Sequence, residues 1–240
     1  MFLRSLLAAA AISFVATLNA QSPSPQQART FETQMPVRLD YLLSLPDGYE
    51  DGEKQHPLLI FLHGAGERGD DLKLVKKHGP PKLIDAGQAF PMIVVSPQCP
   101  ANERWQVKEL VALLDHLETE FRVDPKRIYV TGLSMGGFGT WELAATIPDR
   151  LAAVLPICGG GEPFWAGTMK PVPVWAFHGE RDPVVPLRRS EEMVDALSAV
   201  GGQAKLTVYP DVGHDSWTPT YAEDSWLTWL QSHVLGEPSN

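Results

Sequence analysis

Residues 128–137, IYVTGLSMGG, constrain what this chain can fold into more than any other stretch. Ile128, Tyr129, Val130 and Thr131 are β-branched or aromatic and predict a short buried strand. The strand runs into a glycine-flanked serine and then into the helix-like FGTWELAATI. A strand–serine–helix context turns a G-x-S-x-G match into a nucleophile elbow, a sharp turn that lifts the serine hydroxyl clear of the sheet. Such a turn brings the residues two before and two after the serine together. Gly132 and Gly136 leave room for that approach. The helix that follows aims unpaired N–H groups and its positive dipole end at Ser134, which suits a developing oxyanion.

The rest of the chain reads as strands alternating with helices. Apolar runs at 58–62, 92–96, 153–157, 174–177 and 205–209 predict buried strands, and a loose alternation over 35–45 predicts an early antiparallel one. Apolar positions at helical spacing predict helices over 107–121, 187–199 and 221–234, with a short one near 82–86. This alternation predicts an α/β fold whose mostly parallel central sheet is covered on both faces. In such sheets ligands bind beyond the carboxyl ends of the strands. The stretch 159–171 is too short for a helical cap domain, so the site is expected to be open.

A serine hydroxyl needs a general base, and the base needs a carboxylate to fix its tautomer. In this kind of fold the chain order is serine, acid, histidine. His214 follows the last expected strand in DVGHD, and Asp182 follows the strand 174–177 and precedes Pro183. These two complete a candidate triad with Ser134, with Glu180 as a second choice for the acid. His178 reads as structural, shaping the acid loop, and His233 as a surface residue. The oxyanion needs two N–H donors. Met135 follows the nucleophile, and Ala65, with Gly66 as the alternative, lies in HGAG after strand 58–62. Trp105 and Trp217 lie on loops of the same edge, where they either form an aromatic substrate-binding wall or pack the loops. Trp141, Trp226 and Trp229 read as core.

The motifs HGAGERG, SPQCP, GLSMGG, PICGGG, HGERDPVVP and GHDSWTPTY together resemble an α/β-hydrolase of the secreted esterase and predicted-peptidase type. Its relatives include polyhydroxybutyrate-depolymerase-like and feruloyl-esterase-like enzymes. The likeness runs from about Val37 to the C-terminus. It implies a Ser134–Asp182–His214 triad with Ala65 and Met135 as oxyanion donors. Dienelactone hydrolases, a further relative, carry cysteine at the elbow, and Ser134 argues against that chemistry. Glu67 and Arg68 match the motif and suggest an ion pair bracing the oxyanion loop.

Composition narrows the function classes. A formal net charge of -9 with no basic run excludes nucleic acid and anionic membrane surfaces as expected partners. No cluster of His, Cys and acid residues has metal-ligand spacing, so neither metal nor organic cofactor is expected. Residues 1–20 carry Arg4 ahead of an apolar run and a small residue, Ala20, and read as a signal peptide. Residues 21–34 read as a flexible leader and 35–240 as a single catalytic domain. The expected protein is secreted or periplasmic, with no membrane insertion after cleavage. Cys99 and Cys158 should follow strands three positions apart, about 14 Å at the usual spacing, so both thiols are expected to be free. The resulting expectation is a serine carboxylesterase acting on a small or polysaccharide-linked ester. A prolyl-oligopeptidase-like peptidase and a catalytically silent binding protein are the alternatives.

Overall fold

The computed structural model describes residues 29–30 and 36–237. The expected signal peptide lies outside the described residues, as does the leader apart from Arg29 and Thr30. The fold described below is the unit that begins at Val37.

Its elements in chain order are β1 (Tyr41–Ser44), β2 (His56–Leu62), α1 (Gly79–Asp85), β3 (Ile93–Pro97), α2 (Val107–Glu120), β4 (Val123–Leu133) and α3 (Met135–Thr146). They continue as β5 (Ala153–Ile157), α4 (Ala166–Met169), β6 (Val174–Gly179), α5 (Arg188–Ala199), β7 (Ala204–Tyr209), α6 (Trp217–Ala222) and α7 (Ser225–Gln231). The strands form one sheet in the order β1-β3-β2-β4-β5-β6-β7. Every neighbouring pair is parallel except β1 with β3. Among the described residues no helix is long and apolar enough to cross a membrane.

Strand β2 shows why the sequence takes this form. All of its residues are buried, so it must be covered on both faces. Leu58, Ile60 and Leu62 join one core with Leu110 and Leu114 of α2, Trp141 of α3 and Met193 and Leu197 of α5. Leu59 and Phe61 join the opposite core with Tyr129, Trp226 and Leu230. The period-two alternation of side chains thus feeds two cores from one strand.

The chain order positions the site. From β2 the chain moves outward to β3 and then returns past β2 to β4. Beyond the carboxyl ends of β2 and β4 the loops leave in opposite directions and open a crevice.

Some expected elements differ in extent. The early strand spans only Tyr41–Ser44. The closing helix expected over 221–234 is the shorter α7, Ser225–Gln231, preceded by α6, which ends at Ala222 because the chain leaves it at Glu223 with extended backbone (φ -108°, ψ 145°). His233 is buried, not on the surface: its Nδ1 lies 2.7 Å from the carbonyl of Trp229, and the two rings meet at a tilt, 4.4 Å apart. Both cysteines are buried and free.

Candidate active site

Ser134 sits at the junction of β4 and α3 with φ 52° and ψ -115°, a conformation L-residues rarely adopt. The two glycines make it possible. A Cβ on Gly136 would lie 1.9 Å from the carbonyl oxygen of Leu62, and one on Gly132 would lie 2.5 Å from that of Gly136. The turn can close only where both side chains are hydrogen.

His214 Nε2 is 2.9 Å from Ser134 Oγ, and His214 Nδ1 is 2.7 Å from Asp182 Oδ2. The structure thus brings the three residues of the expected triad into one hydrogen-bonded relay. Asp182 Oδ1 accepts from the N–H groups of Val184 and Val185 at 2.8 and 2.9 Å. Burial alone would raise its carboxyl. The hydrogen bonds from His214, Val185 and Val184 outweigh that and hold it below the usual carboxylate range. An ionised Asp182 keeps the His214 proton on Nδ1, leaving Nε2 free to take one from Ser134.

Two neighbouring groups hold this arrangement. His178 Nε2 donates to the carbonyl of Val185 at 2.9 Å, and its Nδ1 accepts from the Ser190 hydroxyl at 2.8 Å. Burial pushes its imidazole down, so it stays neutral, 3.3 Å from Asp182 Oδ2. Glu180, the alternative acid, points elsewhere: its carboxylate accepts from the backbone N–H of Asp211 at 3.0 Å. It fastens the histidine-bearing loop to the acid-bearing loop.

Ala65 and Met135 are each the first residue of a helical turn, so their N–H groups have no intrahelical acceptor. Both line a cleft of about 660 Å³ together with Ser134, Trp105, Phe138 and Trp165. Arg68 braces this loop, but not through Glu67. Its Nε donates to the carbonyl of Ala65 at 2.9 Å and its Nη1 to that of Glu103 at 3.0 Å. Glu67 turns inward, where its nearest cation-forming partner is His78 Nε2 at 3.8 Å.

The two loop tryptophans divide. Trp105 lines the cleft but is only 6% exposed, and its Nε1 donates to the His63 carbonyl at 3.1 Å, so it packs the loop as well. Trp217 does not reach that cleft. It stands edge-on to His214 at 5.3 Å and hydrogen-bonds His78 in a separate depression. It is the first residue of α6. Sequence reading passed over two aromatic residues of the lining: Phe138, on α3, and Trp165, carried by the short segment between β5 and β6. The signal for Trp165 was the tripeptide Pro163-Phe164-Trp165 in the stretch already singled out as insertion space.

Among the described residues one set of groups could hold a metal ion: Cys158, Asp182 and His214, with ligand atoms within 4.8 Å of one another. The Asp182 and His214 atoms already bond each other, and burial pushes the Cys158 thiol up to about 12. A metal there would have to displace the relay and deprotonate the thiol. These residues fit a proton relay better than a resident ion.

Several known proteins of similar sequence or structure are esterases. A bifunctional acetylxylan esterase/xylanase of Neocallimastix patriciarum is 35% identical over 143 residues, covering 56% of this chain and 20% of that protein. Feruloyl esterase C of Emericella nidulans is 28% identical over 191 residues, covering 77% of this chain and 70% of that one. The crystal structure of a thermostable esterase superposes with a TM-score of 0.71 at 34% identity, over 82% of this chain and 60% of that one. The chain therefore spans a fifth of the first of these relatives and three fifths of the solved esterase. The sequence profile of the dienelactone hydrolase family matches residues 94–225, more than half of the 240-residue chain and the whole stretch from β3 to the start of α7. By that match and by its sheet order, the chain belongs to the dienelactone hydrolase family of α/β-hydrolases.

Proposed function

We propose that this protein is an exported serine carboxylesterase that removes acyl groups from larger molecules. The observation that carries the reading is the relay Ser134–His214–Asp182, at 2.9 and 2.7 Å, opening into the cleft that Ala65 and Met135 line. Ser134 Oγ attacks the ester carbonyl carbon while its proton passes to His214 Nε2. The carbonyl oxygen becomes an oxyanion facing the N–H groups of Ala65 and Met135. The C–O bond to the alcohol then breaks, His214 returns the proton to the leaving oxygen, and an acyl-enzyme remains. Water, deprotonated by His214, attacks that acyl group; the acid leaves and Ser134 regains its proton.

The acetylxylan esterase and feruloyl esterase named among the relatives support an acyl group borne on a polysaccharide as the substrate. The signal-like residues 1–20 support export. The test is a panel of p-nitrophenyl and methyl esters set against aminoacyl anilides. Ester hydrolysis is expected, with little anilide cleavage. Ser134→Ala and His214→Ala should each cut turnover by up to about a millionfold, and the double variant little further. Near-wild-type activity in Ser134→Ala, or anilides preferred over every ester, would overturn the reading.

A further inference from the structure

The groups that would act on one ester hang from distant parts of the sheet. Met135 follows Ser134 directly, so its N–H is fixed to the nucleophile. Ala65 follows β2 and His214 follows β7, and those strands lie four places apart in the sheet order, about 19 Å at the usual strand spacing. Each loop has ties on its own side. Gln98 Nε2 donates to the carbonyls of Glu67 and Asp71 at 2.9 and 3.0 Å, and Arg68 reaches the Glu103 carbonyl, so the oxyanion loop is fastened toward β3. The Glu180 carboxylate fastens the histidine loop toward β6. None of these ties runs from the proposed oxyanion donor to the base.

His78 stands between the two sides. Trp217 Nε1 is 3.3 Å from His78 Nδ1, and His78 Nε2 is 3.8 Å from Glu67 Oε1. An indole N–H can only donate, so Nδ1 accepts, and the neutral ring carries its proton on Nε2, toward the Glu67 carboxylate. Glu67 ends the helical turn Ala65–Glu67, and its side chain is buried. The Trp217 ring meets that of His78 at 5.4 Å and that of His214 at 5.3 Å. A chain of contacts therefore runs Glu67–His78–Trp217–His214, from the turn that presents Ala65 to the ring of the base. The mount of His78 is rigid. Gly79 has φ +63°, and a Cβ there would meet the Phe61 ring at 2.5 Å, so the backbone next to His78 is pressed onto a core residue of β2. Pro80 and Pro81 follow in the first turn of α1 and restrict the chain further.

We propose that His78 is a positioning residue that holds the oxyanion loop and the base at a fixed separation. It lines the depression beside Trp217, apart from the catalytic cleft, and so acts through its neighbours. The oxyanion forms as the serine proton reaches His214, so Ala65 and His214 must both be in register in one transition state. An error in their separation slows that step and leaves ground-state binding of the ester little changed. This rests on the esterase reading and adds to it a residue outside the cleft.

His78→Phe keeps a ring in the same place but neither nitrogen. With a p-nitrophenyl ester, and kcat counted per Ser134 titrated by a fluorophosphonate, it should lower kcat about ten- to a hundredfold and leave KM within about twofold. His78→Gln, whose amide can accept from Trp217 and donate toward Glu67, should recover most of that loss. Glu67→Gln and Trp217→Phe cut the two ends of the bridge. Combined, they should cost little more than the larger single loss, and neither should cost further in the His78→Phe background. Counting per reactive serine removes any unfolded fraction. Unchanged kcat in His78→Phe, a loss confined to KM, or losses at Glu67 and Trp217 that multiply independently would overturn the bridge and leave the esterase standing. If the native protein hydrolyses no ester, the esterase reading fails, and the bridge is judged by the rate at which the fluorophosphonate labels Ser134. A slowing of about tenfold or more in His78→Phe supports it, an equal rate overturns it, and no labelling of the native protein overturns both.

Discussion

His63 has only one tautomer open to it. Its Nδ1 lies 2.6 Å from the Gly64 carbonyl and must donate, while its Nε2 lies 3.0 Å from the Cys99 N–H and must accept. A second proton would face a donor in a fully buried setting. Burial, the largest cause, pushes the imidazole down to about 4, with the Gly64 carbonyl opposing and Arg68 assisting. Since the folded value lies below the unfolded one of about 6.5, the unfolded chain binds the extra proton first. Stability is full above about 6.5 and is lost as the pH falls from there toward 4, to the extent of about 3 kcal/mol. Asp182, held below the usual carboxylate range, adds a loss in the same direction at lower pH still. Melting temperature followed from pH 7 to pH 4 should fall by roughly 5–10 °C. A flat curve over that range would show that His63 is not locked in this way. The sequence marked His63 only as the first residue of HGAG. Its role depends on Cys99, which lies 36 positions away and past β3, and no local pattern reveals it.

The loops after β6 and β7 behave as one clamp. Glu180 N–H donates to Tyr209 O at 3.0 Å, Arg181 N–H to Val212 O at 2.9 Å, and the Glu180 carboxylate receives the Asp211 N–H. Gly179 lies at the tightest point, where a Cβ would meet the Gly213 carbonyl at 2.0 Å. Gly213 precedes His214 directly, so widening this contact moves the base. Gly179→Ala should therefore lower kcat/KM by about a hundredfold, the cost of displacing a catalytic group by about an ångström. A variant that folds and keeps wild-type kcat/KM would contradict the clamp. The strands and the order of the catalytic residues were legible because buried apolar runs and the glycine-flanked serine are local signals. The clamp was not, since Glu180 read only as a second choice for the acid, and the residue that crowds Gly179 is Gly213, 34 positions further on. The choice between a cleft wall and loop packing for Trp217 stayed open for a related reason. Sequence distance from His214 says that it is near the base, but not on which side.

At the scale of the molecule, the alternation of strands and helices was enough to give the sheet and its covered faces, while the break between α6 and α7 was hidden in a continuous helical pattern. The segment between β5 and β6 matters most for access. It folds into the turn Pro163–Trp165 and the short α4, whose Ala166 and Met169 are buried in the core, so it is packed down and does not arch over Ser134. Its one large exposed apolar side chain is Phe164, 79% exposed. With no lid over the site among the described residues, an oil–water interface has nothing to open. The rate on a sparingly soluble ester should level off smoothly through its solubility limit, and a jump there would mean that some element closes over the site.

The edge-on contact of Trp217 with His214 also makes the molecule its own optical reporter. Its tryptophans are spread across distinct settings: Trp141 and Trp226 in the two cores, Trp175 under the Lys205 ammonium, Trp105 and Trp165 at the cleft. Trp217 alone among them abuts the candidate base. An imidazolium quenches a neighbouring indole more strongly than a neutral imidazole does. The difference in emission between the native protein and Trp217→Phe should therefore step as His214 gains its proton, and His214→Asn should erase the step. Light emitted by the resting enzyme would then report the charge state of its base before any substrate is added.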